Sequence, residues 1–552
     1  MKKILNITLV ALAALVLSSC VWDLNTHLLN ETETTADDAY QTGADYLSAL
    51  TYINAFYNFV SSSDPGSPDI SVKDAGQSEL VRQYINLNEL SVDSFKCSWT
   101  GDSYVSELQN NRWTATENAA TIAVYTRCLK GITLVNEFLL QTAPEQLAAR
   151  GHENLAGDIA GYRAEARFHR ALFYYMLMDL FGNPPFPMPE NIMGEAPEQI
   201  QRAELFTWIE TECNDLLSGN DMPAKGAVPY PRPTKGSVQA LLARMYLNAA
   251  VYTGTARWQD AKDAAKAVID MGYVLHPKYQ ELFMQDNTES GAAADEFIFA
   301  VEYDRDHAQS WGGTTTMCSA FVGGAANSKI SSLLGLSDTI MPEGWDGYHV
   351  APDYVARFEL KGENWDGTGF GYDRERSDKR AFFFNEGEPE FIATTTKTGW
   401  RCWKWSSLKS DGTILDRSSA NFKFSSCDFP IFRLAEMYLI YAEADARLHG
   451  GETTDPTALG YIQALRDRAG VEMPDAVTLD WLLDERAREL MLEGHRRTDL
   501  IRYGYFTSAS FPWAGKGGVP NGKVSLPAYR TIYPLLVSDI NANSNLKQNP
   551  GY

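Results

Sequence analysis

The stretch from Asp428 to Gly504 constrains this chain most, because three successive segments in it carry one apolar stripe each at helical spacing. In the first, Leu434, Met437, Tyr441, Ala444 and Leu448 recur every three or four residues after Pro430, and Gly450-Gly451 stops the run. The second repeats the pattern with Leu459, Ile462, Leu465 and Ala469 and closes at Gly470. The third places Leu479, Leu482, Leu483, Ala487 and Leu490 on one face and turns Glu485, Arg486, Arg488 and Glu489 elsewhere. Helices with a single apolar stripe, joined by short loops, form hairpins that need a neighbour to cover them. Glu436 and Glu443 of the first segment are expected to pair across the hairpin with Arg466 and Arg468 of the second, as scaffold rather than chemistry.

The same signal recurs upstream. Helical patterns run over Ala119 to Leu140, Ala164 to Phe181, Glu204 to Leu217, Lys235 to Ala250 and Trp258 to Met271. Ala261, Ala264, Ala265 and Ala267 allow close helix approach, so these segments predict tetratricopeptide-like hairpins, although the strict 34-residue consensus is absent. Asp286 to Cys427 sustains no such period and is rich in Gly, Ser, Thr, Trp and Asp, which reads as loop surface built for function. The expected fold is mainly α: a helical-hairpin scaffold packed against an irregular, loop-rich half. It divides into 1–19 (leader), 20–38 (tether), 39–285 and 286–552.

A net charge of −23 argues against nucleic acid and against charge-driven adhesion to anionic lipid. Lys2-Lys3, the apolar run from Ile4 to Leu17 and Leu17-Ser18-Ser19-Cys20 read as a signal peptide too short to span a membrane. The cysteine resembles a bacterial lipobox, which implies acylation of Cys20 and, with Val21 following, the outer membrane of a Gram-negative cell. The remaining cysteines, Cys97, Cys128, Cys213, Cys318, Cys402 and Cys427, lie far apart with no CxxC pair, so burial as small apolar residues is expected rather than zinc, and disulfide pairing stays open.

The runs RLAEMYLIYAEADARL, ALRDRAGV and DERARELMLEGHRRTDLIRYG, with YPLLVSDINANSNLKQNPGY at the close, resemble the SusD/RagB family of nutrient-binding outer-membrane lipoproteins. The resemblance implies a surface-facing protein that captures an oligosaccharide on a loop face and delivers it to a SusC-like TonB-dependent transporter, without catalysis and with no cofactor required. Starch or another α-glucan is the first expectation for the ligand.

Glycan binding asks for flat aromatics to stack on the C–H face of a sugar and for polar groups to meet its hydroxyls. Three loops supply both: KCSWTGDSY with Trp99, Asp102 and Tyr104; YDRDHAQSWGG with Trp311; and PEGWDGY with Trp345, Asp346 and Tyr348. Trp99, Trp311 and Trp345 are the expected stacking residues, with Asp102, Tyr104 and Tyr348 beside them. Trp113, Trp208, Trp258 and Trp481 fall on helical patterns and read as core, and Trp400, Trp403 and Trp405 alternate as in a strand. Relatives with structural calcium make Asp304, Asp306 and Asp428 a candidate Ca2+ set, although three carboxylates fall short of the six to eight oxygens calcium takes. No GxSxG, Walker loop, HExxH or GxGxxG marks an enzyme. Two alternatives stand: a helical-repeat lipoprotein that acts only through protein contacts, and a surface glycoside hydrolase.

Overall fold

The structure, a computed structural model, describes residues 36–61, 66–189, 195–288, 293–341, 343–363, 369–386 and 399–552. Cys20 and the tether up to Thr35 lie outside the described residues, and among these no helix is long and apolar enough to cross a membrane.

The apolar stripes become helices. After α1 (Gly43–Ala55), α2 (Leu80–Ile85) and α3 (Ser103–Gln109) come α4 (Ala119–Gln141), α5 (Ala156–Phe181), α6 (Arg202–Ser218), α7 (Lys235–Leu247) and α8 (Trp258–Ile269). Asn118 caps α4 by accepting from the amides of Ala120 and Thr121, which satisfies two of the first-turn N–H groups. Gly182, at φ 74°, ends α5, as the Gly-Asn-Pro-Pro run predicts. The helix begins eight residues before the sequence signal, at Ala156, because its first turns are partly exposed and carry a weaker stripe.

Neighbouring helices pack in sequence order, α4 on α5, α5 on α6, α6 on α7 and α7 on α8. The stack then continues onto α11 (Leu434–Leu448), although residues 270 to 433 intervene, and ends with α12 (Pro456–Ala469) and α13 (Leu479–Glu489). The small side chains Ala261, Ala264 and Ala265 of α8 are buried and permit the close approach. Arg244 of α7 meets Glu436 of α11 through two hydrogen bonds of 2.7 Å, and Lys262 of α8 meets Asp445 of α11 at 2.6 Å. These charged-group bonds fix the angle at which the C-terminal hairpin joins the N-terminal stack.

Two expectations about this hairpin need correction. The segment Phe429–Arg433 around Pro430 is a strand, β6, antiparallel to β2 (Phe297–Val301), and α11 starts only at Leu434. The acids and arginines also pair elsewhere: Glu436 takes Arg244, Glu443 takes Arg502 and Arg447, Arg466 takes Glu485, and Arg468 takes Glu296 and Glu489. Arg433 is enclosed by Glu296, Glu489 and Glu493 at 2.6–3.0 Å. Burial alone would raise Glu485, but Arg380, Arg488 and Arg466 outweigh it and bring it down to about 2. The face of α13 opposite its apolar stripe is therefore an ionic core.

The described residues between 286 and 427 form the irregular half. It contains α9 (Gly313–Ala320), α10 (Gly324–Leu333) and the short strands β3 (Tyr348–Val350), β4 (Phe383–Asn385) and β5 (Trp400–Cys402). With β1 (Phe95–Cys97) these make an antiparallel sheet in the order β1-β3-β5-β4. Trp400 lies in β5, whereas Trp403 and Trp405 follow the strand rather than extend it; all three are buried, and Cys97, Cys128, Cys213, Cys318, Cys402 and Cys427 are all buried as free thiols.

Candidate functional site

The register of β1 on β3 builds the site. Phe95 pairs with Val350 and Cys97 with Tyr348, so the loop leaving β1 and the loop entering β3 emerge side by side at one end of the sheet. The first carries Trp99 and the second Trp345, whose ring centroids lie 6.4 Å apart. Trp345 donates its backbone N–H to Ser319 at 2.8 Å, and Gly347 donates to Ala320 at 2.8 Å, which seats the second loop on α9. The turn that opens α9 brings Trp311 to 6.1 Å from Trp345, and Phe424 lies 4.6 Å beyond Trp311. Three half-buried tryptophans from separate loops thus form one row, Trp99–Trp345–Trp311.

Each member is fixed from behind. Trp99 lies flat on Gly347, where a Cβ would come within 2.0 Å of the indole, so only glycine fits there. Asp346 sits at φ 57°, a left-handed conformation that aspartate tolerates better than most residues, and its carboxylate meets the buried Arg401 at 2.5 Å. Tyr348 supports Trp99 from below at 5.2 Å and stacks on Phe95.

The polar rim is asymmetric. At the Trp99 end, Asp102 accepts from Lys73 Nζ at 2.8 Å and Gln77 Nε2 at 3.1 Å. A cavity of about 380 Å³ opens beside it, lined by Lys73, Gln77, Asp102, Ser103, Glu117 and others. Glu343, two residues before Trp345, pairs at 2.8 Å with Lys423, the neighbour of Phe424. Glu343 falls within the PEGWDGY loop, although it is not among the residues expected to bind there, whereas Lys73, Gln77, Lys423 and Phe424 lie outside the three loops. Only the alternation of aromatic and polar residues in NFKF, Asn421 to Phe424, could have pointed to the last.

Three expectations are corrected. Tyr104 and Tyr348 are each 1 % exposed: Tyr104 lies in α3 against the core, and Tyr348 gives its hydroxyl to Asn86 at 2.9 Å, so neither belongs to an open face. Trp113, although fully buried, is not helical, and its indole donates to the Tyr552 hydroxyl at 2.7 Å. The candidate calcium residues Asp304, Asp306 and Asp428 line one cavity of about 240 Å³ together with Glu302, but they do not form a ligand cluster. Among the described residues no three His, Cys, Asp or Glu converge on a point. Asp304 is taken by the Asp306 and His307 amides and the His307 ring, Asp306 by Asn421, and Asp428 by the Tyr303 amide and Tyr230 hydroxyl.

The carboxyls shifted furthest toward neutrality, Glu79, Glu89 and Asp428, are each raised to about 7 by burial, against hydrogen bonds that oppose the shift. All three are at most 1 % exposed and are bound to backbone amides. That arrangement does structural work and offers no open acid–base pair to a substrate.

Comparison with known proteins adds an independent finding. Residues 362–552 match the family described as "SusD family", and residues 70–247 match the one described as "Starch-binding associating with outer membrane". The chain is 32% identical to the starch-binding protein SusD of Bacteroides thetaiotaomicron, over 100% of this chain and 99% of that protein. Among solved structures, the surface glycan-binding protein A of Bacteroides uniformis superposes with a TM-score of 0.68 at 20% identity, covering 92% of this chain and 99% of its own. The protein of the same name from Bacteroides thetaiotaomicron, in complex with laminarihexaose, gives 0.65 at 19%, with the same coverage.

Proposed function

The chain belongs to the SusD family, and from that premise we propose that it is a non-catalytic, lipid-anchored glycan-binding protein of the outer cell surface. It captures an oligosaccharide on the row Trp99–Trp345–Trp311 and passes it to a SusC-like TonB-dependent transporter. The observation that carries this reading is the row itself. Tryptophans about 6 Å apart offer successive flat apolar faces, and three residues from separate loops converge on one surface. Asp102 with Lys73 and Gln77, and Glu343 with Lys423, supply acceptors and donors for hydroxyls at its margin.

An α-glucan is the first choice of ligand, supported by the full-length similarity to a starch-binding protein. A β-glucan of the laminarin type is the second, because a structural neighbour was solved with laminarihexaose. Acylation at Cys20 and export follow from the sequence of the leader.

Affinity electrophoresis of the chain from Val21 onward, through gels containing amylopectin, pullulan, laminarin or no glycan, tests the reading. Retardation by one of them, abolished in the W99A/W311A/W345A variant with its circular dichroism unchanged, is the expected result. Binding that survives in the triple variant would move the site elsewhere. No retardation across a broad panel would favour a purely protein-binding role, and release of reducing ends would favour a hydrolase.

A further inference from the structure

Behind the tryptophan row sits a carboxylate that binds no arginine side chain at hydrogen-bond distance. Glu79 is 0 % exposed. Its Oε2 accepts from the amide of Gly313 at 2.6 Å and from that of Arg82 at 2.7 Å, and its Oε1 accepts from the Tyr303 hydroxyl. One side chain therefore caps α2 and also holds the first residue of α9, two residues after Trp311. The fit is tight on both glycines of that turn: a Cβ on Gly312 would come within 2.4 Å of Glu79, and one on Gly313 within 1.8 Å of the Tyr303 hydroxyl.

The segment that carries Glu79 also reaches the other end of the row. Two residues earlier, Gln77 donates to Asp102, which follows Trp99 by three positions. One further back, Gly76 lies under the Trp311 carbonyl, which a Cβ there would approach to 2.6 Å. Residues 76 to 79 thus touch the Trp311 turn and the Trp99 loop at once.

We propose that Glu79 is a positioning residue for the glycan site: its ionised carboxylate holds the Trp311 turn in register with the Trp99 loop, so that ligand binding weakens when the carboxylate is neutralised. The inference rests on the glycan reading above. Neutralisation removes the charge assistance from two amide hydrogen bonds, which are about twice as strong to an anion as to a neutral acceptor. A looser turn must then be ordered by the ligand, at the expense of affinity.

The groups that face Glu79 fix where this happens. Tyr303 bonds it from the loop after β2, and that residue's amide is held in turn by Asp428. Arg82, on α2, offers its amide, while its guanidinium lies 3.9 Å from Asp74. Arg127 of α4 binds the Ser78 carbonyl and the Asp69 carboxylate rather than Glu79. Burial is the dominant influence and raises the carboxyl to about 7, with the Tyr303, Arg82 and Gly313 bonds opposing it. The ionised form accordingly prevails above that pH and is lost below it.

The test is retention on the glycan that binds the wild type, measured from pH 8.5 to 5.5, with intrinsic tryptophan fluorescence followed in parallel. Wild-type affinity should fall roughly five- to tenfold through pH 7, which is the loss expected from weakening two charge-assisted bonds. Glu79→Gln, fixed in the neutral form, should bind weakly at pH 8.5 and show no step. Tyr303→Phe removes a bond that holds the carboxyl down, so its step should move to higher pH. Asp428→Asn, which lacks the neighbouring titrating group, should keep the step. Wild-type affinity in Glu79→Gln at pH 8.5, or an unchanged step in it, would overturn the assignment. Should the wild type bind no glycan, the functional reading fails separately, and the fluorescence step decides about Glu79: present in the wild type and absent in Glu79→Gln supports it, present in both refutes it.

Discussion

Trp345 is the middle member of the row, and its replacement by alanine tests the site most sharply. It lies 6.4 Å from Trp99 and 6.1 Å from Trp311, whereas those two have each other only through it. Truncation removes its own stacking surface, about 2 kcal/mol for a central aromatic of a binding face. It also removes the lateral support of both neighbours, about 0.5–1.5 kcal/mol for each aromatic pair, part of which reaches the ligand as lost preorganisation. The expected loss is about 2–4 kcal/mol, or roughly 30- to 1000-fold in Kd. Trp99→Ala and Trp311→Ala each forfeit one pair within the row, together with a contact outside it to Tyr348 or Phe424, but leave the central face in place, so each should cost about 1–2 kcal/mol. The fold should tolerate all three, because the loop under Trp345 is held by Asp346 on Arg401 and by the backbone bonds to Ser319 and Ala320. Isothermal titration calorimetry with the oligosaccharide that the wild type binds gives the three Kd values, and urea unfolding checks stability. Equal losses at all three positions, or a Trp345→Ala variant within threefold of wild type, would refute a continuous platform.

Gly347→Ala should weaken glycan binding by displacing Trp99, whose indole occupies the space of the new methyl, as read by calorimetry, and the overpacking should also cost about 1–3 kcal/mol, read as a lower urea midpoint. Arg401→Met leaves Asp346 and Glu386 without their buried partner and should destabilise the irregular half by about 3–5 kcal/mol, read as a lower urea midpoint. Glu489→Gln should have a comparable effect in the ionic core, since Arg433 and Arg468 lose a carboxylate from a site with 0 % exposure. Acid should act through Glu485. Its folded value, about 2, lies below the ordinary 4.5, so the stability it contributes is present above 4.5 and is lost as pH falls from there toward 2. A Glu485→Gln variant whose acid unfolding curve keeps the wild-type slope over that range would contradict this assignment.

The sequence by itself determined the helices and set three tryptophans apart in turns rich in Ser, Gly and Asp. A stripe such as Leu434, Met437, Tyr441 and Ala444 is a local pattern, and its 3.6-residue period has one regular solution. Trp99, Trp311 and Trp345 could be singled out in the same way, because Ser, Gly and Asp beside a tryptophan mark a turn rather than a core helix. Only the tertiary structure decided what those residues face. Tyr104 and Tyr348 have the same kind of neighbours as the tryptophans, yet α3 and β3 turn them into the core. Glu436 finds Arg244, 192 residues away, instead of the arginines of the next helix. The partner of a buried charge is set by which elements pack, and that depends on contacts far apart in sequence that no local period encodes. The row forms for the same reason: the Cys97–Tyr348 register and the seat on α9 bring together residues more than 200 positions apart, a juxtaposition that belongs to the fold.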